Sequence, residues 1–228
     1  MSWYDAIADE YSGWSGEIAG DIDFYARLAQ AADGPIVELA VGDGRVAIPV
    51  ARAIDRPVIG IDESSGMLAR ARERAEAADV DLDLRMGDMC DLTLDEPASL
   101  VYCPARALLH IPTWSARRRL FERVFDALRP GGRFAWNVFA FDHRVAVELD
   151  GAPLETPSPH VNRYSVADNR VDIELQTGEM TSLWWATKNE CLGLIDVAGL
   201  ELETIDGDFA GNPLRDDSTE YVFIARRP

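Results

Sequence analysis

Four short apolar runs, at 36–41, 57–62, 98–103 and 133–139, alternate with stretches of helical periodicity, and this alternation constrains the fold more than any other feature. An apolar run of five or six residues without polar alternation suits a strand buried on both faces. Strands joined through helices need crossovers, crossovers are right-handed, and the product is a parallel sheet with helices on both sides. The expected fold is therefore α/β, a Rossmann-like doubly wound sheet, mostly parallel with an antiparallel C-terminal strand. A chain of 228 residues, 47% hydrophobic, is enough for one core and cramped for two.

The punctuation between the runs is legible. Residues 2–32 carry Tyr4, Ile7, Ala8, Tyr11, Ile18, Ile22, Tyr25 and Leu28 at helical spacing, and Gly34-Pro35 ends them. Gly42-Asp43-Gly44 turns the first strand into a helix from about Arg45 to Ile54, with Pro49 near its first turn. Ser64 or Ser65 caps a helix to about Ala78, and Thr113 or Ser115 caps another, ended by Pro130-Gly131-Gly132. Leu82, Leu84 and Met86 alternate as a strand. Residues 160–183 read as two extended segments around Asp168-Asn169, a hairpin signal. A helix from about Lys188 stops at Gly199, and 200–205 and 220–225 alternate as terminal strands. The expected organisation is one domain over 1–228. It comprises a helical lead (1–34), a ligand-binding core (35–140), a variable insertion on the acceptor side (141–187) and a C-terminal helix with strands (188–228).

The formal net charge of -18 repels phosphate backbones and argues against a nucleic acid partner. Three cysteines, Cys90, Cys103 and Cys191, fit neither a disulfide framework nor a zinc site and are expected as packed, reduced thiols. No His, Cys and carboxylate cluster has metal-ligand spacing, so no metal is expected. Met1 to Glu10 lacks the features of a signal peptide, and no apolar run approaches a membrane span. The expectation is a cytoplasmic protein without a membrane partner.

The chemistry begins at Val37-Glu38-Leu39-Ala40-Val41-Gly42-Asp43-Gly44. Two glycines after a buried strand let a ligand approach the backbone, and the following helix N-terminus favours an anionic group. A tight turn with no ligand would look the same. Asp62, 20 residues after Gly42, ends the second run, and Asp88 follows the third strand. In a doubly wound sheet these strand ends converge on one crevice. There Asp62 can hold two ribose hydroxyls and Asp88 can accept from an adenine amino group. Either acid alone would equally serve as a cap. Glu38, Asp62 and Asp88 on successive strands are harder to dismiss.

This motif order resembles the class I S-adenosylmethionine (SAM)-dependent methyltransferases over about residues 4–140. Glu38, Ala40, Gly42 and Gly44 match the family's first motif, Asp62 the second, Gly87-Asp88 the third, and Leu128 to Gly132 a later turn. The family usually has glycine where this chain has Ala40. The resemblance implies SAM as cofactor, S-adenosylhomocysteine as product, and cofactor contacts from Tyr11, Glu38, Ala40, Gly42, Gly44, Asp62, Glu63, Met67, Gly87, Asp88, Met89, Cys103 and Pro104. A nicotinamide-dependent oxidoreductase of the same architecture is the rival. Aligned on Gly42, its G-x-G-x-x-G pattern needs small residues at positions 40 and 45, and position 45 is Arg45. A SAM-binding protein without catalysis is the second alternative.

Methyl transfer from a sulfonium is an in-line displacement that needs mainly proximity and orientation. A base is required only where the acceptor must lose a proton. His110 is the candidate base, or a histidine packed at a helix start. Arg106 binds an acceptor carboxylate or pairs with a surface acid. Trp14, Phe139, Phe141, Trp184 and Trp185 are candidates for the acceptor wall, or core aromatics. His143 and His160 read as surface residues. The expected partner is a small-molecule acceptor methylated on nitrogen or oxygen.

Overall fold

The computed structural model describes residues 20–155 and 159–228. Helix α1 (Asp21–Gln30) leads to β1 (Ile36–Leu39), α2 (Ala47–Ile54), β2 (Val58–Asp62), α3 (Ser65–Ala77), β3 (Leu82–Met86) and β4 (Ala98–Cys103). A 3-10 turn (Ala107–His110), α4 (Trp114–Ala127), β5 (Leu128–Phe139) and α5 (His143–Leu149) follow. Four strands, β6 (Pro153–Leu154), β7 (His160–Ser165), β8 (Arg170–Leu175) and β9 (Met180–Trp184), precede α6 (Lys188–Ala198), β10 (Glu201–Asp206) and β11 (Glu220–Arg226).

Seven strands form one sheet in the order β10-β11-β5-β4-β1-β2-β3. β1 to β5 are parallel, and β11 runs antiparallel to both β5 and β10. β1 and β4 are buried along their whole length, as their unbroken apolar runs require. Their alternate residues feed two cores. Val37, Leu39, Val101 and Cys103 pack with Leu120, Phe121 and Val124 of α4. Ile36, Leu100 and Tyr102 pack with Phe24 and Tyr25 of α1 and Val50 of α2. Glu38 is the one ionisable side chain in β1, and it is 1% exposed. All three cysteines are free and buried. Burial pushes the Cys103 and Cys191 thiols up to about 12 and Cys90 up to about 11.

Of the paired cap candidates, the first residue serves each time. Ser64 accepts from Met67 N at 3.2 Å and Thr113 from Ala116 N at 3.2 Å. Three expectations are corrected. β5 does not wait for Arg133. It starts at Leu128 and runs through Pro130-Gly131-Gly132, because its ladder with β4 shifts register between Ala98 and Leu100 and so takes up the extra residues. Gly132 is required there, since a Cβ would lie 2.9 Å from the Ala98 carbonyl oxygen. The 160–183 hairpin is part of a separate four-stranded antiparallel sheet, β6-β7-β8-β9. A second turn at Gly178, with φ of +96°, creates the extra strand β9. His160, read as a surface residue, is 7% exposed; it opens β7 opposite the buried Leu175. Among the described residues no helix is long and apolar enough to cross a membrane.

Candidate active site

The carboxyl ends of β1, β2 and β3 meet around the glycine turn. Ala40, Gly42 and Gly44 have φ of 52°, 54° and 79°. Every second residue of the turn is thus left-handed, which glycine tolerates and alanine does not without strain. The usual glycine of the first motif is a conformational requirement that Ala40 meets at a cost.

Asp62 joins two loops. One carboxylate oxygen accepts from Gly42 N at 2.8 Å and the other from Ser64 N at 2.8 Å. The turn is held from outside as well. Asp43, 1% exposed, accepts from Arg45 N at 3.2 Å and pairs with Arg74 of α3. Arg45 pairs with the fully buried Asp21 at the start of α1, with an Nη1–Oδ1 distance of 3.0 Å.

A cavity of about 260 Å³ opens beside this turn. Ala40, Asp62, Glu63, Gly87, Asp88 and Met89 line it, together with His110, Ile111 and Arg119. Seven of the residues assigned from sequence, six for the cofactor and His110 as base, therefore share one surface. Asp88 accepts from Cys90 N at 2.7 Å and lies 3.7 Å from Arg119, so it is both a cap and a cavity wall. Other assigned residues sit elsewhere. Gly42 and Gly44 shape the turn without lining the cavity, Met67 is 1% exposed, and Cys103 and Pro104 are buried. Tyr11 and Trp14 lie outside the described residues.

Glu38 points away from solvent. Its Oε2 has no hydrogen-bond partner among the described residues, and burial pushes its carboxyl up to about 8, opposed by Tyr102 and by the field of Arg45. The Tyr102 hydroxyl is its neighbour, and Tyr102 stacks on Tyr25 at 4.9 Å. A cavity lined by Asp62, Glu63 and Asp88 beside a left-handed glycine turn fits a ligand with hydroxyl and amino groups.

His110 lines the same small cavity. Burial lowers its pKa to about 4, opposed by a hydrogen bond with backbone at Ser182. The imidazole is neutral near pH 7.

A second cavity, of about 970 Å³, lies next along the chain: Ala107 faces the small cavity and Arg106 the large one. Phe139, Phe141, Tyr164 and Tyr221 line it, with Val171, Ile173 and Leu183 from the second sheet. Arg106 meets a buried acid instead of a surface one. Its Nε donates to Glu220 Oε1 at 2.8 Å, and its ring neighbour is Phe139, 5.8 Å away. Asn137, fully buried, accepts from Arg106 N at 3.4 Å and from the Tyr25 hydroxyl at 3.3 Å, and donates to Glu220 Oε2 at 3.0 Å. This network holds two successive non-glycine residues, Ala105 and Arg106, at φ of 55° and 61°.

Trp184 and Trp185 do not line either cavity. Trp185 is 5% exposed and backs Phe141 in a stack at 3.9 Å, while the Trp184 carbonyl accepts from Arg117. The sequence reading missed Asn137, Glu220, Tyr164 and Tyr221. Asn137 carried a signal, a lone amide inside the apolar run 133–139.

Residues 36–132 match the family model described as "Methyltransferase domain". A trans-aconitate 2-methyltransferase of Methylobacterium nodulans is 30% identical over 136 residues, covering 58% of this chain and 50% of that one. The chain spans between 50% and 63% of the lengths of the curated relatives it matches. The structure of the CcbJ methyltransferase from Streptomyces caelestis superposes with a TM-score of 0.83 at 24% identity, over 100% of this chain and 98% of that one. The sugar N-methyltransferase KedS8 from Streptoalloteichus sp. superposes with a TM-score of 0.70 at 17% identity, over 96% and 91%. The Rossmann-like sheet with its antiparallel edge and the left-handed turn flanked by acids agree with these likenesses: residues 36–132 are similar to the methyltransferase domain, and the chain has the fold of the superposed methyltransferases.

Proposed function

We propose that this chain transfers the methyl group of SAM to nitrogen or oxygen of a small-molecule acceptor held in the larger cavity. The observation that carries this reading is the pairing of the two cavities across residues 106 and 107. The small one has the donors and acids of an adenosine site. The large one has the size and the mixture of aromatic, aliphatic and polar walls typical of metabolite sites. The charge of -18 opposes a nucleic acid acceptor. The relatives named above for trans-aconitate and for a sugar act on acceptors of this size class.

The sulfonium of bound SAM supplies an activated methyl group. The chain's own residues position and shield. Asp62 and Asp88 would hold the ribose and the adenine edge, Ala40 and the Gly42 turn would border the methionine part, and the backbone at the buried Cys103 and Pro104 would stand behind its amino acid end. The Arg106–Glu220–Asn137 network fixes the turn between the two cavities, and so would hold a bound acceptor and the methyl donor in a fixed relation to each other. We assign His110 the acceptor's proton, since it is neutral at pH 7 and faces the cofactor side. A base of such low pKa is weak. His110→Ala is therefore expected to lower turnover only about 10²-fold, the low end for general bases, measured at saturating SAM because His110 also lines the small cavity. The wild-type rate profile should show no inflection from this group above pH 5.5. An inflection near pH 6.5 that disappears in the variant would contradict the assignment.

Ala40→Val is expected to weaken S-adenosylhomocysteine binding at least tenfold and to cost about 2 kcal/mol of stability. A β-branched residue is forced into the left-handed region while its methyls enter the cavity. Calorimetry together with urea unfolding checks both. The broader reading is tested with metabolite extract and methyl-labelled SAM. Label is expected in the small-molecule fraction, and label confined to protein or RNA would overturn the acceptor class.

A further inference from the structure

We infer that the acceptor carries an anionic group, a carboxylate or phosphate, and that Lys188 and Arg215 receive it at the mouth of the larger cavity. The inference rests on reading that cavity as the acceptor site. The chain has 22 Lys and Arg against 40 Asp and Glu, and Lys188 is its single lysine. The cavity lining reverses this balance. Arg106, Arg144, Lys188 and Arg215 line it with three acids, Asp142, Asp216 and Asp217.

The pairing sharpens the picture. Asp142 is engaged by Arg144, through 2.7 Å and 3.1 Å contacts. Asp216 and Asp217 follow Arg215 on the same exposed turn and line the cavity beside it, so the local surplus of positive charge comes from Arg106 and Lys188. Lys188 and Arg215 have no side-chain hydrogen bond or ion pair among the described residues. Deeper in, Arg106 gives Nε and Nη2 to a single oxygen, Glu220 Oε1, and its Nη1 has no partner among the described residues. A guanidinium presents five N–H donors in a planar fork, so Arg106 has an open edge toward the cavity. Most of the chain's other arginines are tied to acids or backbone carbonyls. In a protein whose overall field repels anions, open cations gathered on one concave surface are the feature that makes an anionic ligand bindable there.

The floor supplies the complement. Val171, Ile173 and Leu183 are apolar, so the acceptor's body packs on the second sheet while its charge sits at the rim. The cationic side chains would then orient the acceptor and leave its nucleophilic atom toward residues 106 and 107.

The test uses pyrophosphate and succinate as separate probes at low ionic strength, where such contacts are least screened. Each is titrated by calorimetry into the full chain with and without S-adenosylhomocysteine. Both or one should bind the wild type, and the double variant Lys188→Gln/Arg215→Gln should bind at least tenfold more weakly. Arg72→Gln/Arg123→Gln removes the same charge from exposed positions on α3 and α4 and should change nothing. Preference for pyrophosphate identifies a phosphate group, and preference for succinate a carboxylate. Silence of the wild type toward both, undiminished binding in the first double variant, or an equal loss in the control would overturn the inference. S-adenosylhomocysteine affinity, measured in the same series, reports separately on the cofactor site. Its absence would defeat the methyltransferase reading without bearing on anion binding.

Discussion

Asp62→Ala is expected to weaken S-adenosylhomocysteine binding by about 2–3 kcal/mol, roughly 30- to 150-fold, because each hydrogen bond to a charged group contributes about 1.5–3 kcal/mol. The carboxylate has more than one duty. It lines the small cavity, and it also receives Gly42 N and Ser64 N at 2.8 Å each. Removing it frees the glycine turn and the start of α3 together. Asp62→Asn separates the two duties. It keeps an acceptor for one backbone N–H but presents an amide donor to the other, so an intermediate loss is expected. Calorimetry on both variants, with unfolding curves for each, checks this. Wild-type affinity in Asp62→Ala would remove Asp62 from the site.

The second large effect concerns Glu38. Its carboxyl has an ordinary value near 4.5 and sits at about 8 in the folded chain, raised by burial. Between these values the folded state holds a proton that the unfolded state releases. Stability therefore falls as pH rises through this window, and the favourable contribution is complete below about 4.5 and lost above about 8. Glu38→Gln removes the titration and keeps the shape. From pH 6.5 to 8.5 the variant should gain on wild type by about 2 kcal/mol, from 1.36 kcal/mol for each of about 1.5 pH units up to the folded value. His110 acts in the opposite sense, since its folded pKa of about 4 lies below the ordinary 6.5, so its contribution grows as pH rises from about 4 to 6.5. Reading the Glu38 slope above pH 6.5 separates the two. Urea midpoints at pH 6.5, 7.5 and 8.5 give the comparison, and parallel profiles for variant and wild type would contradict the assignment.

The parallel half of the fold was readable because each of its strands is a continuous apolar run between glycine or capping signals. β4 and α6 fall on the residues their patterns indicate, Ala98–Cys103 and Lys188–Ala198. The glycine turn and the small cavity were readable for the same reason, since the residues that line it stand at strand ends and strand ends are marked. The second sheet was harder. β9 alternates only weakly, with no buried position along Met180–Trp184, so periodicity carries little information there. The larger cavity was hardest, because its walls come from segments far apart in the chain. Arg106 and Glu220 are separated by 114 residues, and nothing local in either segment points to the other. The direction of Glu38 was equally hidden. A strand of four residues buried on both faces gives no polar side on which to place a carboxylate.

Among the described residues the β6–β9 sheet pairs only within itself and shares no ladder with the seven-stranded sheet. It is fastened through the Phe141–Trp185 stack and the Arg117 contacts to the Trp184 carbonyl and to Glu190. It is also encoded as one uninterrupted stretch, entered from the end of β5 and left at the start of α6. Grafting that stretch from a relative with a different acceptor would leave every strand register around the adenosine crevice untouched. Diversification of such a chain can thus proceed by wholesale replacement of one cassette, with the donor half inherited unchanged.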